Sequence, residues 1–165
     1  MTLSGEWRVE SGEWTTQAEQ SAAARRLLSE LLGHEAIVEH DDNGAPYLPD
    51  FPELHVSISH CRTAVAVAIN QERKVGIDVE CRRNISDGLV ERVCTAAEQE
   101  ALRNSDDATM TFLRYWTRKE AVLKMRGTGI KGFGSMLWAS EATDCTVEEI
   151  DCGAPDTVAA LATAL

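Results

Sequence analysis

The sequence predicts an α+β protein in which a long helix followed by strands occurs twice. Three observations lead there. Thr15 to Leu32 is rich in alanine and leucine and ends at Gly33, as a helix does. Short strand-like runs then crowd the stretch from Ile37 to Glu80, and a second long helical stretch, Thr109 to Met125, precedes further strand-like segments reaching Leu161. At 165 residues and 44% hydrophobic, the chain is long enough to bury a sizeable core. One domain over residues 1–165 is expected, in halves of about 1–72 and 73–165 joined by the turn at Asn70 to Lys74.

In order, Glu6 to Val9 reads as a short first strand, followed by the helix ending at Gly33 and a strand from Ile37 to His40. Asp41-Asp42-Asn43-Gly44 is dense in turn formers and leads into a loop through Pro46 and Pro49. His55 to Ser59 and Thr63 to Ile69 are strands, and Val75 to Glu80 alternates as a strand should. Leu89 to Val93 is a short helical turn. Thr95 caps a helix from Ala96 to Leu102, its hydroxyl accepting from first-turn amides while Glu98 sits at the positive end. The long helix from Thr109 ends at Gly127, and strands are expected near Gly132 to Leu137, Thr146 to Ile150 and Thr157 to Leu161.

A formal charge of −11 argues against nucleic acid as a partner, because a phosphate backbone calls for a basic surface. Locally the balance reverses: Arg114, Arg118, Lys119, Lys124, Arg126 and Lys131 stand against the single acid Glu120. Such an island suits an anionic ligand or partner. The five cysteines, Cys61, Cys81, Cys94, Cys145 and Cys152, are odd in number and contain no Cys-x-x-Cys pair, which points to reduced thiols without a zinc site or a disulfide framework. No stretch is long and apolar enough to cross a bilayer, and the first residues carry no secretory pattern, so no membrane partner and a cytoplasmic location are expected.

The chemistry concentrates in two segments. In Val75-Gly76-Ile77-Asp78-Val79-Glu80 the alternation puts Val75, Ile77 and Val79 on one face and Gly76, Asp78 and Glu80 on the other. Carboxylates two residues apart on a strand lie roughly 6.5 to 7 Å apart and repel by roughly 2 to 3 kcal/mol at an effective dielectric of about 20. A cation between them cancels that cost. In Trp116-Thr117-Arg118-Lys119-Glu120-Ala121-Val122-Leu123-Lys124, Glu120 and Lys124 share a helix face, bringing a third carboxylate beside an ammonium. Leu113, Trp116 and Leu123 form the apolar face that buries this side of the helix, with the aromatics as core. Three carboxylates and a lysine suggest a divalent metal holding a phosphate. Alone, an Asp-x-Glu strand face or a Glu-to-Lys helix pair is more commonly an ordinary solvated surface; together they reverse that balance.

These two segments, in this order and about forty residues apart, resemble the signature motifs of the 4′-phosphopantetheinyl transferases, most closely the surfactin-synthetase-activating type. Ser57-Ile58-Ser59-His60 resembles the family's serine-histidine coenzyme A motif, and Gly44-Ala45-Pro46-Tyr47 its Gly-x-Pro turn. The resemblance runs from about Ala22 to Gly129. It implies two α/β halves related by a pseudo-twofold axis, with the active site in the cleft between them. It also implies that Asp78, Glu80 and Glu120 bind Mg²⁺, that Glu120 and Lys124 are catalytic, and that Lys124, His60, Ser59, Gly44 and Pro46 contact coenzyme A, the donor substrate.

The implied reaction moves the 4′-phosphopantetheine arm of coenzyme A to a serine of an apo acyl- or peptidyl-carrier protein, releasing adenosine 3′,5′-bisphosphate. The chain is expected to be a monomer whose basic island receives the acidic carrier. Two departures stand out. Ala45 replaces the lysine often found in the Gly-x-Pro turn, and the first half is short, which leaves Arg25, Arg26 and Arg62 as the nearest compensating cations. Cys61 stands where the family commonly has a small hydroxyl residue. Both departures leave open an alternative function, a non-catalytic module that binds coenzyme A or a carrier protein. His34, His40 and His55 carry no motif and are expected to be structural or solvent-facing.

Overall fold

Two three-stranded antiparallel sheets carry the fold, each packed against one long helix. The computed structural model describes residues 5–128 and 133–165. The first part runs β1 (Glu6–Ser11), α1 (Gln17–Leu32), a hairpin of β2 (Glu39–His40) and β3 (Pro46–Tyr47), then β4 (His55–Cys61) and β5 (Ala64–Asn70). The second runs β6 (Val75–Cys81), α2 (Asp87–Val93), α3 (Ala96–Arg103), α4 (Ala108–Arg126), α5 (Phe133–Leu137), a 3-10 turn, β7 (Cys145–Ile150) and β8 (Thr157–Ala164). The sheets are ordered β1-β5-β4 and β6-β8-β7, with Ser59 opposite Ala66 in one and Asp78 opposite Ala160 in the other.

The central strands β5 and β8 are apolar on both faces and sort their side chains by size. Val65, Val67 and Ile69 of β5 pack under α1, against Leu27, Leu28 and Leu31. Its alanines, Ala64, Ala66 and Ala68, face the other sheet and meet Val75, Ile77, Val79, Ala159 and Leu161. Small side chains on that inner layer let the two sheets approach closely. The outer face of β8 supplies Val158, Ala160 and Ala162 to the cluster beneath α4, with Phe112, Leu113, Val122 and Leu123. The expected faces of the Val75 to Glu80 strand are therefore observed.

The sheets also meet edge to edge. β4 and β6 are both edge strands, and the unpaired amides of β6 are satisfied by serine hydroxyls of β4: Ile77 N–H donates to Ser57 Oγ at 3.0 Å and Val79 N–H to Ser59 Oγ at 3.2 Å. Equal steps along both strands make the two edges parallel. Both faces of β4 are therefore covered, Val56 and Ile58 on one and Ser57 and Ser59 on the other. Val56 and Ile58 are partly buried under α1, while Ser57 and Ser59, at 4% and 6% exposure, lie deeper still.

Helix ends follow the sequence closely. Thr16 and Thr95 each form a capping box with the glutamate three residues on, and Gly33 and Gly127 close their helices in the left-handed region, at φ 76° and 70°. Two assignments need correction. Pro46 lies in β3 and not in a loop, because the Asp41 carboxylate organises the turn by accepting from Asn43 and Ala45 N–H, and so pairs Pro46 with His40. The strand expected near Gly132 to Leu137 is a helix over its described part, Phe133–Leu137; Gly132 lies outside the described residues. Both neighbouring strands, β6 and β7, already pair with β8, and Met136 is buried in the helical cluster.

Lys119 is the largest departure. It is fully buried, where its ammonium donates to Glu98 Oε2 at 2.6 Å and to the carbonyls of Val93 and Leu137. The same Glu98 oxygen accepts the Thr95 amide, so one ion pair ties α2, α3, α4 and α5 together. Lys119→Met should destabilise the fold by about 3–5 kcal/mol by leaving Glu98 buried and unpaired. Thermal unfolding checks this: the single variant should melt at least about 6 °C lower, and Lys119→Met/Glu98→Met should recover most of the loss.

Candidate active site

The tight approach of β6 to α4 builds the site. A Cβ on Gly76 would lie 2.0 Å from Ala121 O and 2.4 Å from Met125 N, so only glycine lets the strand lie directly on the helix backbone. Asp78 and Glu80, on the same strand face, are thereby brought under α4 and meet Glu120 and Lys124. Every residue singled out for the site lines one open cleft of about 390 Å³: Gly44, Pro46, Ser59, His60, Asp78, Glu80, Glu120 and Lys124. The cleft continues past Lys124 into a hollow of about 400 Å³ whose lining includes Asn43, Ala45, Ser57, Gly127 and Thr128.

Asp78 is 4% exposed, not part of a solvated strand face. Its Oδ1 accepts from Ser59 Oγ at 2.8 Å and from Lys124 Nζ at 2.7 Å; the ammonium also donates to Ile77 O at 3.2 Å. The ammonium therefore reaches across to β6 and does not pair with Glu120 along the helix. The Ser59 hydroxyl donates to Asp78 and accepts from the Val79 amide. Glu80 Oε2 accepts from Arg83 Nε at 3.2 Å, and the Arg83 guanidinium lies over Trp116, 5.4 Å from the ring centroid.

Two carboxylate oxygens, Asp78 Oδ2 and Glu120 Oε1, are buried with no hydrogen-bond partner among the described residues. An unmet buried acceptor costs about 1–3 kcal/mol, and more when charged. Burial pushes the Glu120 carboxyl up to about 7; the negative charges of Asp78 and Glu80 add to this and Lys124 opposes it. Burial and the Asp78 charge likewise raise Glu80, against Arg83. Bare oxygens from two of three crowded acids are the kind of donor a hard divalent cation takes, with phosphate or water completing its shell. Among the described residues, no group of three or more His, Cys, Asp or Glu side chains is placed to hold a metal ion as the side chains stand. The bare oxygens suit a cation only with further ligands, such as a bound phosphate and water, completing its shell. Partial burial and the nearby Lys124 charge lower the affinity of His60 for its proton, against Asp78.

His40 and Trp116 were not expected here. His40 faces Pro46 across the β2–β3 hairpin and lines the cleft; the turn signal at Asp41 to Gly44 could have placed it there. Trp116 is half-buried: it packs against the cluster beneath α4, as expected, and also forms a wall of the cleft. Of the compensating cations, Arg26 is held by Glu10 and Glu30, Arg62 is exposed on the rim of the sheet, and Arg25 lines a small hollow with His40 and His60. The basic island is much reduced: Lys119 is buried, Arg114 pairs with Glu149, Arg126 with Asp144, and Lys131 lies outside the described residues.

A family model described as the 4′-phosphopantetheinyl transferase superfamily matches residues 74–158. The match contains Asp78, Glu80, Glu120 and Lys124 but not Gly44, Pro46, Ser59 or His60. The chain is 38% identical over 122 residues to the 4′-phosphopantetheinyl transferase HetI of Nostoc sp., covering 66% of this chain and 52% of that protein. To Sfp of Bacillus subtilis it is 33% identical over 89 residues, covering 53% and 39%, and to AcpT of Escherichia coli 32% over 115 residues, covering 66% and 58%. The chain spans about half the length of the curated relatives it matches.

Proposed function

Because the chain belongs to the 4′-phosphopantetheinyl transferase superfamily, we propose that it transfers the 4′-phosphopantetheine arm of coenzyme A to a serine of an apo acyl- or peptidyl-carrier protein, releasing adenosine 3′,5′-bisphosphate. The single observation that supports this best is the convergence of Asp78, Glu80 and Glu120, two of them with bare buried oxygens, beside the Lys124 ammonium in one cleft. Mg²⁺ held by these three carboxylates would neutralise charge on the pyrophosphate and on the leaving phosphate.

The chain's own groups do the rest. Lys124 and His60 bind the phosphates and fix the β-phosphorus for in-line attack, while Gly44 and Pro46 form the wall along which the coenzyme lies. Ser59 keeps Asp78 aimed into the cleft. Glu120, whose raised proton affinity suits a base working near neutrality, takes the proton of the carrier serine. The two sheet-and-helix units act as pseudo-twofold-related halves of one domain, residues 1–72 and 73–165, with the cleft between them. Such an internal pair needs no second copy, so the protein works as a monomer. It meets its carrier in the cytoplasm; no described helix is long and apolar enough to cross a membrane.

A binding module of the same fold would hold coenzyme A without breaking it. Chromatography separates the two: incubation with coenzyme A, Mg²⁺ and an apo carrier should yield adenosine 3′,5′-bisphosphate only when the carrier is present. Intact coenzyme A throughout would favour the module, and product without carrier would favour hydrolysis. Asp78→Ala should lower the carrier-dependent rate by at least about 100-fold, the scale of losing an electrostatic group at the reacting phosphate. Turnover at the wild-type rate would remove Asp78 from the site.

A further inference from the structure

Three of the five cysteines gather at one end of the junction between the sheets. The serine bridges set the register of the two edge strands, Ser57 at Ile77 and Ser59 at Val79, and one further step of two residues brings Cys61 opposite Cys81. These are the last residues of β4 and β6, and both are half-buried, not sealed in the core. The hydroxyl of Thr63 lies 3.8 Å from Cys61 Sγ, and the two thiols lie within electrostatic reach of each other. A disulfide requires its two Cα atoms about 4.4–6.8 Å apart, and the serine bridges hold the two strands one side-chain hydrogen bond apart just two residues away. Cys152 also adjoins Cys61 but is buried at 8% exposure, out of easy reach of an external oxidant.

We propose that Cys61 and Cys81 are a modification site, a thiol pair that closes reversibly into a disulfide across the junction of the two sheets. The oxidant is a low-molecular-weight disulfide. One cysteine attacks a sulfur of that molecule, forming a mixed disulfide and releasing one thiol. The second cysteine then displaces the remaining half as a second thiol. The two cysteines together lose two protons and two electrons, which the external disulfide takes up to become two thiols. Because Cys61 follows His60 and Cys81 follows Glu80, the bond pulls together the strand ends that carry these two cleft residues. On the transferase reading proposed above, oxidation slows transfer and a reductant restores it.

The test is to incubate the full chain with glutathione disulfide and map its peptides by mass spectrometry without reduction. The expected product is a linked Cys61–Cys81 pair lighter by two hydrogens, with Cys81→Ser giving only a glutathione adduct at Cys61. A Cys61–Cys152 link, or glutathione adducts alone in the wild type, overturns the proposal. This readout needs no activity, so the failure of the transferase reading would leave it standing. If the reduced chain does transfer, the oxidised chain should be at least fivefold slower and recover with dithiothreitol, whereas Cys81→Ser should keep its rate under oxidant. Equal rates in oxidised and reduced wild type would overturn the regulatory role.

Discussion

Replacing Gly76 with alanine is expected to be among the most damaging single changes in this protein, although it adds only one methyl group. The new Cβ would lie 2.0 Å from a backbone carbonyl oxygen and 2.4 Å from a backbone nitrogen of α4. Neither atom can swing aside as a side chain does; the whole helix or the whole strand has to move. Overpacking of this kind costs about 1–3 kcal/mol where side chains can adjust, and more where they cannot, so about 3 kcal/mol is the floor here. That corresponds to a melting temperature at least about 6 °C lower for a chain of this size. The displacement also separates Asp78 and Glu80 from Glu120 and Lys124, so activity should fall further than stability does. Thermal unfolding and carrier modification measured on the same preparation check both parts. A variant that melts within a degree of wild type and turns over normally would contradict the described approach of β6 to α4.

Glu120→Gln separates chemistry from stability in the opposite sense. With the carboxyl as base and metal contact, the amide should reduce transfer by at least about 100-fold. The same change should stabilise the metal-free fold. Folding raises the proton affinity of Glu120 from the ordinary 4.5 to about 7. The folded state therefore binds more protons than the unfolded state between those two values, and stability falls as the pH rises through that window. Above pH 7 the penalty is complete, on the order of 3 kcal/mol, and below pH 4.5 it vanishes. At pH 8 without divalent cation, Glu120→Gln should thus melt about 6 to 12 °C above wild type, and the two should converge near pH 4.5. Mg²⁺ should narrow the gap at pH 8 by stabilising the wild type more. A variant less stable than wild type at pH 8 would mean that the buried Glu120 oxygen is already satisfied.

Local signals in the sequence carried most of the fold. Thr95 with its glutamate, Gly33 and Gly127, and the alternation in β6 each declare an element through chemistry confined to a few residues. Phe133–Leu137 was misread because a short apolar segment has no decisive period, and what makes it helical is the neighbourhood: occupied strand edges and a place among the helices. The convergence of the candidate residues was legible for a related reason. They fall in a few short motifs, and all eight line one cleft. Contacts between distant elements were not legible. The pattern Lys119-Glu120 gives no hint that the first side chain is buried on Glu98 while the second faces the cleft, because about 100° of helix rotation separates neighbours. Nor does Ser57-x-Ser59 announce that its hydroxyls replace a backbone ladder between two sheets.

The measurement that most directly tests the assignment is the mass of an apo carrier protein after incubation with this chain, coenzyme A and Mg²⁺. The account predicts a carrier heavier by one 4′-phosphopantetheine group on its serine, with no addition when Mg²⁺ is chelated, when the acceptor serine is replaced by alanine, or when Asp78→Ala replaces the wild type. A carrier of unchanged mass, from a folded chain that binds coenzyme A and against several unrelated carriers, would contradict it.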